Sequence, residues 1–214
     1  MNIIPAKKPK IICYGDSNTF GHDPRSYIGD RFPPDVRWTG ILNQAGWEAV
    51  NCGLNGRKIP AAEAEILAAA EQIGSHLLAD IVAVMLGTND LLWDPSLAAE
   101  DAAEAMGRFL QRLLPAVSGA KLLLIAPPAM QRGRWAESEY SIAQSARLGA
   151  LYAALAAEFG VLFADAAQWH PEISFDGVHL TENGHRTFAQ QLLAVLHTFP
   201  SSADRIYEVN PCRN

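Results

Sequence analysis

Residues 12–21 read ICYGDSNTFG. An apolar run over 11–14 enters glycine, aspartate, serine and asparagine directly, and a second glycine follows at Gly21. The run has the length of a buried strand, and Gly15 frees the backbone to turn. The hydroxyl of Ser17 then stands where open α/β sheets present ligand-binding groups, at the carboxyl end of a strand. The same residues also fit a plain strand-to-helix turn in which Asp16 or Ser17 caps the helix. The surrounding pattern has to decide between them.

Outward from this stretch, short apolar runs recur at 48–51, 81–86, 122–126 and 161–164. Between them lie segments of helical period at 36–44, 61–73, 97–114, 140–159 and 182–197, the second with Pro60 suited to a first helical position. Five uniformly apolar strands alternating with five helices imply a parallel sheet covered on both faces, a three-layer flavodoxin-like α/β sandwich of strand order 2-1-3-4-5. A single domain over residues 1–214 is expected, with 198–214 as a C-terminal tail. The long polar loops 23–35 and 127–138 both follow strand carboxyl ends, where they can wall a cleft.

The 214 residues are 49% hydrophobic and 19% charged, with a formal net charge of −6. An acidic chain without a basic patch is not expected to bind nucleic acid or an anionic membrane. Cys13, Cys52 and Cys212 are odd in number and lack C-x-x-C spacing, so neither a disulfide framework nor a zinc site is expected. No run approaches 18 apolar residues and the N-terminal MNIIPAKKPK has no signal-type apolar core, which points to a cytoplasmic protein.

Three further segments carry polar groups to the same sheet edge: NCGLNGRKI at 51–59, LGTNDLL at 86–92 and DGVHLTENGH at 176–185. Each has a structural explanation. Gly53 and Gly56 can shape a turn, Asn89 and Asp90 can cap a helix, and Asp176 can pair with His179 as a loop staple. Together they supply a serine, a histidine, a carboxylate and hydrogen-bond donors, which are the parts of an acyl-transfer site.

The blocks GDSN, 51–56, GTND and DGVH, in this order over residues 15–179, resemble the four signature blocks of the SGNH (GDSL-type) hydrolase superfamily. RFPPDVRWTGIL at 31–42 further resembles its intracellular arylesterase branch, which includes acyltransferring and perhydrolysing enzymes. The resemblance implies Ser17 as nucleophile, with its own N–H as an oxyanion donor. It also implies Asn89 as a side-chain donor, and Asp176 and His179 as acid and base. In the second block the family's glycine donor lies five residues after the asparagine that ends the strand, which selects Gly56.

Serine needs a base within hydrogen-bond reach, and imidazole titrates near neutrality. Asp176, three positions before His179, can fix the ring's tautomer, with Asp165 as the rival carboxylate. Asp90 reads as structural, His185 as a surface or packing histidine and Thr181 as a helix N-cap. Asn18 stands where the superfamily often has leucine, so Asn18 and His22 are expected to add polar surface to the substrate pocket. Asp16 is grouped with them as a pocket residue, and its carboxylate is expected to bond nearby loop N–H groups rather than act as base. Trp93, Trp135, Met130 and Phe175 are the candidate apolar walls.

The expected activity is hydrolysis of small acyl esters without cofactor or metal. Thioester hydrolysis and sugar deacetylation would use the same residues. A two-metal phosphoesterase would need more ligands than these motifs hold, and a silent binding module would normally lack one of the five positions. Resemblance of the 23–35 loop and RWTG to subunit-contact parts of oligomeric arylesterases, with Trp38 awkward on a surface, leads to the expectation of a homo-oligomer.

Overall fold

The computed structural model describes residues 7–199 except Tyr27, Leu77 and Ser118. Five parallel strands, β1 (Lys10–Gly15), β2 (Glu48–Gly53), β3 (Ile81–Met85), β4 (Lys121–Ala126) and β5 (Leu162–Asp165), form one sheet in the order β2-β1-β3-β4-β5. This is the sheet expected from the alternation of apolar runs. Register is continuous, with Gly15 opposite Gly53 on one side and Met85 on the other.

Side chains alternate across the strands, so each strand feeds two cores. Ile12, Tyr14, Val82, Val84, Leu122 and Leu124 face helices α3 (Glu63–Gly74), α5 (Ala99–Leu113) and α7 (Leu148–Phe159). Ile11, Cys13, Ile81, Ala83, Leu123 and Ile125 face α2 (Trp38–Gln44) and α8 (Glu182–His197). Burial on both faces is why the strands read as unbroken apolar runs.

Three details depart from the sequence pattern. Two short helices, α1 (Ser17–Phe20) and α4 (Thr88–Trp93), start at the ends of β1 and β3, too brief to show a period. The expected helix over 140–159 is broken into α6 (Glu139–Ser145) and α7. Polar side chains explain the break. Ser145 Oγ donates to the Ile142 carbonyl and accepts the Met130 N–H, while Gln144 Oε1 accepts from the Ala99 N–H and the Arg147 guanidinium. Pro60 does not open α3 either. The Glu65 carboxylate accepts the N–H groups of Ala61 and Ala62 and fixes the start of the helix after them.

Trp38 is buried in its own chain, its ring tilted against that of Phe188 with centroids 4.9 Å apart and its indole N–H donating to the Asn18 carbonyl at 2.9 Å. It therefore gives no reason to expect a subunit contact. No helix among the described residues is long and apolar enough to cross a membrane. The tail at 198–214 and Cys212 lie almost wholly outside the described residues.

Candidate active site

The strand order reverses at β1, and the crevice between the carboxyl ends of β1 and β3 is where such sheets place ligands. Ser17 opens α1 directly after β1. Asp16 caps the helix by accepting the Asn18 N–H at 2.9 Å, and Gly21 closes it at φ +87°. Gly15 has to be glycine, because a Cβ there would lie 2.8 Å from the Met85 carbonyl and 2.2 Å from Thr19 Oγ1.

The opposite wall is the turn before α8. Its Gly177 sits at φ +83°, its ends pair through Ile173 and Leu180, and the Thr181 hydroxyl caps α8 through the Gly184 N–H. The turn presents His179 to the serine, with Nε2 2.9 Å from Ser17 Oγ and Nδ1 2.6 Å from Asp176 Oδ2. Asp176 Oδ1 accepts from the N–H groups of Val178 and His179 and from the Ser174 hydroxyl. Burial pushes the Asp176 carboxyl up, but the His179 side chain, these N–H groups and Ser174 hold it well below the usual carboxylate range. A carboxylate on Nδ1 keeps that nitrogen protonated and leaves Nε2 as an acceptor toward the serine.

Two loops fix this turn. Asn18 donates from Nδ2 to the Val178 carbonyl at 3.1 Å and accepts the Leu180 N–H at 2.9 Å, so it grips both neighbours of His179. Loop 127–138 braces the other side, where Gln131 and Trp135 donate to the carbonyls of Gly177 and Asp176. It also brings Trp135 edge-on to the His179 ring at 5.0 Å. His22 lies 4.5 Å from the same ring. Burial and the neighbouring His179 lower its pKa, partly opposed by Asp176 and Asp23.

After β2, the two glycines separate by what surrounds them. A Cβ on Gly53 would come within 2.0 Å of the Phe20 nitrogen, whereas Gly56, at φ +73°, has open space beside it. Among the described residues the N–H groups of Ser17 and Gly56 have no acceptor. Asn89, in the first turn of α4, donates from Nδ2 to the Arg57 carbonyl and accepts the Trp93 indole N–H at Oδ1. Asp90, its neighbour, accepts the Ile59 N–H and holds the same loop. Burial raises its carboxyl to about 6, as it does that of Asp16.

Ser17, His22, Asn55, Gly56, Asn89, Trp93, Trp135 and His179 thus enclose one cleft of about 260 Å³. Asn55 had no distinguishing signal in the sequence beyond its place before Gly56. Four expected pocket residues are elsewhere. Asp16 and Asn18 point into the fold, spent on the cap and on the His179 turn. Met130 is buried in the core beside α6, and Phe175, 60% exposed, lines a separate groove with Phe32 and Arg25. Asp165 is also remote in role, accepting the Ala167 N–H and packing on Gly149. His185 is a buried packing residue, edge-on to Phe32. Among the described residues no group of three or more His, Cys, Asp or Glu is placed to hold a metal ion.

The GDSL-like lipase/acylhydrolase family model matches residues 13–187. Among solved structures, the native aryl esterase of M. smegmatis is 29% identical over 90% of this chain and 100% of its own, with a TM-score of 0.80. A carbohydrate acetylesterase from Sinorhizobium meliloti is 26% identical over 90% and 100%, at a TM-score of 0.78. A candidate arylesterase from Agrobacterium tumefaciens is 31% identical over the same shares, also at 0.78. No curated protein sequence matches the chain.

Proposed function

We propose that this chain, which belongs to the GDSL-like lipase/acylhydrolase family, is a serine esterase that cleaves small acyl esters through an acyl-enzyme on Ser17. The observation that carries the proposal is the unbroken relay from Ser17 Oγ to His179 to Asp176, at 2.9 and 2.6 Å.

His179 Nε2 takes the proton of Ser17 as Oγ attacks the ester carbonyl. The carbonyl oxygen gains the charge, and the N–H groups of Ser17 and Gly56 with Asn89 Nδ2 are the donors available to it. Asp176 stabilises the imidazolium. Collapse of the tetrahedral intermediate passes the proton to the departing alcohol and leaves the acyl group on Ser17. Water, activated by His179 in the same way, then releases the acid. An alcohol or hydrogen peroxide in place of water would give acyl transfer or perhydrolysis. No step requires a cofactor.

The relatives include an aryl esterase and a carbohydrate acetylesterase, and the present cleft, with two tryptophans at its rim, suits a small acyl group on a ring-bearing alcohol. Organophosphonate labelling tests the proposal. The adduct should map to Ser17, with activity lost in proportion, and Ser17→Ala should be neither labelled nor active. An adduct on another residue, or an active Ser17→Ala protein, would reject it.

A further inference from the structure

Asn89 and Trp93 are four residues apart on α4, so their side chains share one face of the helix. The carboxamide of Asn89 meets two groups of opposite kind. The Trp93 indole can only donate, and its N–H lies 3.1 Å from Oδ1. The Arg57 carbonyl can only accept, and it lies 3.0 Å from Nδ2. A flipped amide would set donor against donor and acceptor against acceptor. The Arg57 end is itself fixed, since its guanidinium donates to the Gly15 carbonyl and lies over the Tyr14 ring at 4.1 Å. One Nδ2 hydrogen therefore goes to Arg57, and the other has no acceptor among the described residues and is left for the cleft that Asn89 lines.

Trp93 is 61% exposed at the mouth of that cleft, where a fully solvated indole N–H would have no need of a protein acceptor. We infer that Trp93 is a positioning residue, whose indole N–H locks the Asn89 carboxamide in the orientation that offers Nδ2 to the reacting carbonyl oxygen. The inference rests on the serine esterase reading. It assigns the tryptophan two separable effects: the ring face touches the bound ester, and the ring N–H acts through Asn89 on the transition state.

A double-mutant cycle on an acetyl aryl ester separates these effects. Trp93→Phe keeps a ring and removes the N–H, so kcat should fall roughly five- to tenfold, the worth of one neutral hydrogen bond, with KM nearly unchanged. Trp93→Ala should also raise KM. Asn89→Ala should lower kcat on the order of 10²- to 10³-fold, and in that background Trp93→Phe should cost nothing further. The substituted side chain is largely exposed, and equal melting temperatures would show that the fold is intact. A wild-type kcat in Trp93→Phe, or the same factor lost with and without Asn89, would overturn the inference while Ser17 stays essential. Activity surviving in Ser17→Ala would overturn the esterase reading with it.

Discussion

The Asp176 carboxylate accepts hydrogen bonds from the Ser174 hydroxyl, the N–H groups of Val178 and His179, and the His179 ring. Asp176→Asn removes the charge that fixes the tautomer, so kcat should drop on the order of 10⁴-fold with the fold retained. Asp165→Asn, altering only a local cap, should leave kcat within a few-fold. Steady-state kinetics on both variants check the pair, and the reverse ranking would move the orienting role to Asp165. The same residues show what a sequence can disclose about a site. Ser17, His179 and Asp176 were legible through the resemblance of their blocks to the SGNH signature, since each residue alone also fits a cap or a loop staple, and the structure brings the three within hydrogen-bond reach. Asn18 was misplaced because its polarity told of a need for partners, without telling whether they were substrate atoms or the backbone of a turn 160 positions away. Met130 and Phe175 fail for a similar reason, since apolar character in a loop does not say which side of the loop a side chain takes.

At the scale of elements, α1 and the turn before α8 act as one unit because the Asn18 amide spans them. Asn18→Leu, which fits the volume but not the hydrogen bonds, leaves the Leu180 N–H and Val178 carbonyl unpaired. A loss of about 1–3 kcal/mol in stability is expected, read as a lower melting temperature. A fall in kcat larger than any change in KM should accompany it, since the turn carries His179. Buried His185 on α8 gives a pH prediction. Burial, then Arg37 and His179, lower its pKa from 6.5 to about 3, so it is neutral in the fold. Its contribution to stability is fully present above pH 6.5 and is lost as the pH falls toward 3. Melting temperatures should therefore fall less between pH 6.5 and 4 in His185→Phe than in the wild type. Asp16 and Asp90, whose raised pKa values act in the opposite sense, are common to both proteins and cancel in the comparison. Five strands and the larger helices were legible from period and length. The short α1 and α4 and the break at 146–147 were not, because two are shorter than any repeat and the third is set by side chains of other segments.

The candidate site lies on one edge of a sheet whose two faces are packed mainly with apolar side chains. The cleft there is small, about 260 Å³, and edged by His22 and Asn55. Each methylene that finds apolar cover should gain about 0.8 kcal/mol, and this cleft offers cover for only a few. Relative kcat/KM should peak at acetyl to butyryl esters and fall steeply by octanoyl, with no jump above the micelle concentration. A profile rising through octanoyl would contradict this. The bond between Ser17 and His179 joins residues 162 positions apart, one just after β1 and the other just ahead of α8. A ribosome making this chain releases Ser17 long before His179, and most of the sheet can assemble around a serine that still lacks its imidazole partner. Under the serine esterase proposal, ester cleavage waits for the turn that carries His179, and its appearance during synthesis or refolding times the docking of that turn on α1.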